Sequence, residues 1–269
     1  MGYRLIALDI DGTIRKADYP PSERTHRAIE AAKEAGAVVT LVTGRMFRSA
    51  LAATSELNIT SPIVSFQGVH VAHPKTAEVL YHLPLEPHMS IRALDELDGW
   101  PREILAYIGD DVYANVLTPW VEAYSERNKG GVQVVSDLRT LAADRPTRLA
   151  VLGDENEIGD LDARLSAALD GELYVTRSLP TLCEILHPDG GKHRGLQWLA
   201  GHLGIPREQT VACGNGYEDV EMLRWAGLGV ASDEAVPKAK EAADVVARPI
   251  EEDGVALVIE DLLDRCEIG

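Results

Sequence analysis

Short continuous apolar runs recur along the chain, each followed by a polar or glycine-containing turn and then by a stretch with helical apolar spacing. The first, Leu5-Ile6-Ala7-Leu8, does not alternate with polar residues, which marks a strand buried on both faces. Ser22 is placed to cap a helix running through Thr25–Ala35, and Gly36 is placed to end it. Ala37–Val42 reads as a second buried strand, with a helix from about Met46 to Glu56. Pro62–Phe66 reads as a third strand, and Val69–Ala72 with Val79–His82 as a pair of short runs suited to a hairpin. This β-α-β-α-β order predicts a parallel, right-handed, doubly wound sheet.

The texture changes at Leu83-Pro84-Leu85-Glu86-Pro87, where two prolines in four residues mark a hinge. Beyond it the pattern predicts helices near 88–98, 119–129 and 155–169, and strands near 103–108, 112–117, 132–135, 147–152, 172–177 and 182–187. His187-Pro188-Asp189-Gly190-Gly191 reads as the return hinge. The first pattern then resumes, with a helix opening at Lys192 and strands at Thr210–Cys213, Leu228–Ala231 and Asp244–Ala247. Intervening helices are expected at Val220–Ala226 and Ala235–Ala242, and a closing one at Gly254–Leu263. The expected architecture is α/β, a Rossmann-like doubly wound core over 1–84 and 188–269 with an inserted α+β domain over 85–187.

Composition narrows the function classes. In 269 residues, 45% hydrophobic and 26% charged, the formal net charge is -17, which argues against nucleic-acid and anionic-membrane partners. A small anionic ligand is still accommodated where lysine, arginine, backbone amides or a metal offset the acidic field locally. Cys183, Cys213 and Cys266 are odd in number and widely spaced, as expected of a reducing, cytoplasmic compartment. No signal-peptide pattern and no apolar stretch near 18 residues is present, so no membrane span is expected. The oligomeric state is not legible.

The polar residues at strand ends carry the chemistry. Asp9 and Asp11 follow the first strand, with Gly12 letting the backbone turn close to a bound group and Thr13 adding a hydroxyl. Taken alone, Asp-x-Asp-Gly-Thr is equally an ordinary polar loop. Thr43 follows the second strand, Asn215, Glu218 and Asp219 follow the Thr210–Cys213 strand, and Lys192 opens a helix. Carboxyl ends of parallel strands share one rim, so these groups can converge there. Grouped carboxylates need a cation among them, and hard oxygen ligands in an open site suit magnesium. A lysine and a threonine beside the metal make a site for a phosphoryl group. With no cysteine or Ser-His pair in place, the available nucleophile is a carboxylate, pointing to an aspartyl-phosphate intermediate.

Asp9-Ile10-Asp11-Gly12-Thr13, Thr43-Gly44-Arg45, Lys192 and Gly214-Asn215-Gly216-Tyr217-Glu218-Asp219 stand in the order and spacing of four motifs, and the tail carries Asp253-Gly254-Val255-Ala256. In this the chain resembles the haloacid dehalogenase superfamily, and within it the Cof-type phosphatases with a large cap inserted before the lysine motif, a type 2 cap. The resemblance implies Asp9 as nucleophile, Asp11 as general acid and then base, and Lys192 neutralising the phosphoryl oxygens. Thr43 and the Gly44 N–H would hold those oxygens, with Gly12, Thr13 and Arg45 lining the substrate site. Magnesium would take the Asp9 carboxylate, the Asp11 carbonyl and an acid of the fourth motif. The implied substrate is a small phosphorylated metabolite: a sugar phosphate, phosphoglycolate or a phosphorylated cofactor.

The fourth motif departs from the pattern Gly-Asp-x-x-Asn-Asp, with an amide at Asn215 and an acid at Glu218. The formal charge of the set is unchanged, so Asn215 is expected to bind magnesium through its amide oxygen or a water while Glu218 restores the field, with Glu218 and Asp219 the further expected metal ligands. The alternative is a weakened or inactive protein of the same fold, a phosphate-binding or regulatory module; a phosphomutase is a third reading. Gln67 is a further candidate for lining the site, and Arg148, Arg177 and Tyr113 are candidates for substrate selection from the insert.

Overall fold

In the computed structural model, residues 2–16, 19–127 and 131–269 are described. Elements follow in chain order as β1 (Leu5–Leu8), α1 (Glu23–Glu34), β2 (Val38–Leu41), α2 (Phe47–Glu56), β3 (Ile63–Ser65), β4 (His70–Ala72) and β5 (Val79–His82). Next come α3 (Pro87–Glu96), β6 (Ile104–Ile108), β7 (Asp111–Ala114), α4 (Pro119–Arg127), β8 (Val132–Val134), β9 (Arg148–Leu152), α5 (Glu155–Ala168), β10 (Tyr174–Leu179) and β11 (Leu182–Leu186). The chain closes with α6 (Lys192–His202), β12 (Thr210–Gly214), α7 (Val220–Trp225), β13 (Leu228–Ala231), α8 (Pro237–Ala242), β14 (Val245–Val246) and α9 (Gly254–Asp264). It divides into two compact units, one of residues 1–45, 50–80 and 191–269, the other of 46–49 and 81–190.

The first unit is built on a parallel sheet in the order β14-β13-β12-β1-β2. Every residue of β1 is buried, as its unbroken apolar run requires of a strand covered on both faces. The Ser22 hydroxyl accepts the Thr25 N–H at 3.0 Å and caps α1. That helix buries Thr25, Ala28, Ile29 and Ala32, one stripe at helical spacing. α1 packs on α9, and Arg24 forks onto Glu260 between them. β3 continues the parallel sense beside β2 through the Val42–Val64 bridge, and it leads the β3-β4-β5 sheet that contains the expected hairpin. From β1 the chain proceeds to β2 on one side, while β12, β13 and β14 lie on the other. The carboxyl ends of β1 and β12 therefore flank the switch point, where open α/β sheets bind their ligands.

The inserted unit carries a six-stranded sheet in the order β10-β11-β9-β6-β7-β8, antiparallel except for the β7–β8 pair. Its core gathers Leu94, Ala106, Leu149, Val151, Ile158, Leu161 and Ile185 from the sheet, α3 and α5. Several boundaries differ from expectation. β7 ends at Ala114 because the Asn115 side chain takes the Ile104 N–H at 2.8 Å, closing the ladder. A 3-10 segment at Leu138–Asp144, capped by Asp137, was not expected, because Leu138, Leu141 and Ala142 make only a single turn of helical spacing. α8 starts at Pro237, whose missing N–H suits the first turn, not at Ala235. Positions 128 and 129 of the expected 119–129 helix lie outside the described residues.

Of the three residues considered for substrate selection, Arg148 is committed inside the insert. Arg148 is buried in an ion pair with Glu184 and lies 4.2 Å over the Tyr107 ring. Tyr113 packs against the insert's core, and Arg177 lies beside Gly159 of α5. Among the described residues, no helix is long and apolar enough to cross a membrane.

Candidate active site

Five strand ends of the first unit deliver polar groups to one rim: β1 to Asp9, β2 to Thr43, β3 to Gln67, β12 to Asn215 and Asp219, β13 to Ser232. Lys192, in the first turn of α6, sits at the centre. It is buried, yet its ammonium donates to Asp9 Oδ1 and Asp219 Oδ1, both at 2.8 Å, and lies 3.6 Å from Glu218 Oε1. Burial works against that charge, but Asp219, Asp9 and Glu218 outweigh it and hold the proton well above the ordinary lysine range.

The carboxylates divide by role. Asp9 is 5% exposed, with Oδ1 on Lys192 and Oδ2 accepting from the Thr13 hydroxyl at 3.0 Å, so the carboxylate plane is fixed from both sides. Burial pushes its pKa up to about 6 against the pull of Lys192, with Asp219 adding to the rise. Glu218 is pushed up to about 8, again first by burial, with Lys192 opposing and Asp219 and Asp9 adding. Asp219, expected among the metal ligands, has both oxygens committed elsewhere: Oδ1 to Lys192, Oδ2 to the N–H groups of Asn215 and Gly216, each at 2.9 Å. It is the anchor of its own loop.

Asn215 lies across Gly12, close enough that a side chain at position 12 would collide with its amide; Gly12 also has φ +81°. The Thr13 hydroxyl is 3.1 Å from Asn215 Oδ1 as well as 3.0 Å from Asp9. One hydroxyl proton serves one acceptor, and the carboxylate is the stronger.

Thr43 is buried, and its Oγ1 accepts the Arg45 N–H at 3.2 Å, which leaves its own proton available as a donor. Gly44 lies against the Gln67 amide. Arg45, expected to touch substrate, instead forks onto Asp11: Nε donates to Oδ2 at 2.7 Å and a terminal nitrogen to Oδ1 at 2.8 Å. Arg15 adds a longer contact to Asp11 at 3.4 Å.

The placement of Lys192 depends on the turn after β3. Phe66 and Gln67 are both left-handed, with φ 48° and 53°, a costly conformation for side-chain-bearing residues. The turn is held by bonds from the Phe66 N–H to the Arg45 carbonyl and from the Gly191 N–H to the Gln67 carbonyl, both 2.9 Å. Gly68 abuts the Gly191 carbonyl, and a methyl group at Gly195 would stand 2.6 Å from Val64 Cγ1 and 2.7 Å from Gly68. Glycine at this contact lets the start of α6 approach β3 closely enough to seat Lys192.

Sequence reasoning missed three contributors: Ser232, whose buried hydroxyl holds the Gly12 carbonyl at 2.8 Å, Arg15, and the anchoring role of Asp219. Only the neighbouring Gly-Asn-Gly run signalled the last.

The parallel α/β sheet thus brings acids and hydroxyls from its strand ends together around one buried lysine. The chain belongs to the haloacid dehalogenase-like hydrolases, matching that family over residues 6–259, and is an enzyme of the phosphatase kind. It is 31% identical over 262 residues, 96% of each chain, to a 5-amino-6-(5-phospho-D-ribitylamino)uracil phosphatase of Bacillus subtilis. A stress response protein of the same organism is 29% identical over 97% of this chain and 93% of its own length. The crystal structure of a haloacid dehalogenase-like hydrolase from Bacteroides thetaiotaomicron superposes with a TM-score of 0.82 at 28% identity, covering 97% of this chain and 99% of that one.

Proposed function

We propose that this enzyme hydrolyses small phosphate monoesters through an aspartyl-phosphate on Asp9. The reading is carried by the Lys192–Asp9–Thr13 arrangement: a carboxylate held in one plane, beside a buried cation able to take charge from a phosphoryl oxygen. An Asp9 oxygen bonds to phosphorus as the ester P–O bond breaks, and the departing alkoxide takes the proton of the Asp11 carboxylic acid. Water then attacks phosphorus and gives its proton to the Asp11 carboxylate. The P–O bond to Asp9 breaks, freeing inorganic phosphate and both carboxylates. Thr43 and the Gly44 N–H are assigned to hold phosphoryl oxygens. The uracil ribityl phosphate named for the 31% identical relative supports a phosphorylated polyol or sugar as the substrate class. The inserted unit, over about 85–187, is assigned the choice among such substrates.

The donor set fits magnesium. Asp9, Glu218 and Asp219 surround a single ammonium, and the pKa values of Asp9 and Glu218 are raised first by burial and then by the neighbouring acids, a crowding that a further cation would relieve. Among the described residues, no three acidic, cysteine or histidine side chains enclose a metal by themselves. The shell would therefore be mixed, the carboxylates of Asp9 and Glu218 with two neutral oxygens, the Asp11 carbonyl and the Asn215 amide. Bound there, magnesium supplies Lewis-acid neutralisation of the phosphoryl oxygens.

Release of phosphate from p-nitrophenyl phosphate in millimolar magnesium tests the reading. Wild type should turn over, and Asp9→Asn should lose at least about a thousandfold in kcat. A wild type that binds phosphate but releases none, and gains turnover on Asn215→Asp, would establish the regulatory alternative.

A further inference from the structure

Resting on the phosphatase reading, we propose that Arg45 is a positioning residue for proton transfer. Its guanidinium holds the Asp11 carboxylate in one plane toward the leaving oxygen, and it is not a ligand of the phosphoryl group. The geometry is a two-bond fork from one edge of the guanidinium, Nε at 2.7 Å and a terminal nitrogen at 2.8 Å, occupying both Asp11 oxygens. Arg15 braces the same carboxylate at 3.4 Å and is itself tied to Glu56 at 3.5 Å.

The fork has a rigid base. The Arg45 N–H donates to Thr43 Oγ1 at 3.2 Å, and its carbonyl accepts the Phe66 N–H at 2.9 Å. The guanidinium thus extends from a backbone pinned both to the end of β2 and to the left-handed turn after β3. A terminal carboxylate torsion is otherwise a broad, two-fold rotor. Proton transfer needs the donor oxygen within hydrogen-bond reach of the leaving atom, so fixing that rotor selects the productive orientation.

Two comparisons favour positioning over the other roles open to this arginine. The side chains of Arg45 and Asp11 are 32% and 35% exposed, and an ion pair so hydrated contributes little to stability. As for phosphate binding, the cation within reach of the nucleophile is Lys192, bonded directly to Asp9, whereas the fork edge of Arg45 is spent on Asp11. Oδ1 accepts from both Arg45 and Arg15, whereas Oδ2 accepts from Arg45 Nε and keeps a further lone-pair site, so the clamp leaves Oδ2 as the oxygen that can face the leaving atom.

The experiment uses the full-length protein in magnesium and compares p-nitrophenyl, phenyl and ethyl phosphate, whose leaving oxygens need increasing help from an acid. Pre-steady-state release of the alcohol isolates the first half-reaction, and competition by inorganic phosphate reports affinity for the phosphoryl group. For Arg45→Ala, the release rate should fall about a hundredfold on ethyl phosphate and less than about fivefold on p-nitrophenyl phosphate, with phosphate affinity within about threefold of wild type. Asp11→Asn should show the same dependence on leaving group. Arg45→Lys, which keeps the charge but not the fork, should fall between, and added guanidinium ion should restore part of the Arg45→Ala loss. Should Arg45→Ala prove unstable, the Arg45→Lys series carries the same comparison. Equal losses on all three esters overturn the proposal, as does a tenfold weaker phosphate affinity at an unchanged release rate, which assigns Arg45 to the phosphoryl group. Either result leaves wild-type turnover, and hence the phosphatase reading, intact. A wild type inert on all three esters removes that reading and this inference together.

Discussion

Glu218 is a buried acid beside Lys192, and the cost of burying it is measurable without turnover. The folded chain holds Asp9 at about 6 against an ordinary 3.8, and Glu218 at about 8 against 4.5. Between each pair of values the folded state keeps a proton that the unfolded state has lost. Stability therefore falls as pH rises, through about pH 4–6 for Asp9 and about pH 4.5–8 for Glu218. Metal-free protein should melt lower at pH 8 than at pH 5. Glu218→Gln should flatten the upper part of that slope and raise stability at pH 8 by on the order of 2 kcal/mol. Millimolar magnesium should raise the melting temperature of wild type more than that of the variant. A slope above pH 6 that Glu218→Gln leaves unchanged would contradict this account. Asp9, Lys192 and Thr43 were legible as site residues because each directly follows an apolar run or opens a helix after glycine. The partners of Asp219 and Arg45 were not, since which carboxylate an arginine grips, or which N–H groups a carboxylate caps, is decided by loops meeting in space.

At the level of elements, the contact between α6 and the turn after β3 sets where the buried ammonium stands. Gly195→Ala places a methyl group 2.6 Å from Val64 and 2.7 Å from Gly68, an overpacking expected to cost about 1–3 kcal/mol. Backing α6 away from β3 also draws Lys192 off Asp9, so kcat should fall by about tenfold or more. Gly201→Ala, in the same helix with open space around it, is the control. It should be neutral or stabilising by up to about 1 kcal/mol, with kcat unchanged. Thermal melts with steady-state kinetics on both variants decide the point, and a Gly195→Ala enzyme as stable and active as wild type would show that the contact is slack. β1, β2, β12 and β13 were readable from apolar runs alone because burial on both faces imposes one, whereas the edge strand β14 is exposed. The turn at Phe66–Gly68 was not, because nothing in Phe-Gln announces two left-handed residues. Tyr174–Leu179 begins later than its apolar residues suggested, since a turn takes up the chain after α5.

Over the whole molecule, two units with separate cores imply that damage to one is felt there first. Arg148 and Glu184 are buried together in the insert, and removing one member of such a pair costs about 3–5 kcal/mol. Glu184→Ala should therefore lower hydrogen-exchange protection in β6, β9 and β11 while β1, β2 and β12 keep theirs. Equal loss across both sets would mean that the molecule unfolds as one cooperative body. The change from one pattern to the other was legible near Pro84 and Gly190, where turn residues cluster, and the compact units change at 80–81 and 190–191.

The pairing of β1 also has a consequence for synthesis. Leu5–Leu8 is covered on one edge by Val38–Leu41, made soon afterwards, but on the other by Thr210–Cys213, about 200 residues on. At ribosomal rates of about 5–20 residues per second, that second edge stays bare for roughly 10–40 seconds, during which the insert emerges in full. A nascent or prematurely ended chain thus presents an apolar strand with open hydrogen-bonding groups, the template on which edge-to-edge association begins. The strand that leads into Asp9 is translated before either strand it pairs with, and its pairing is complete only once β12 has emerged.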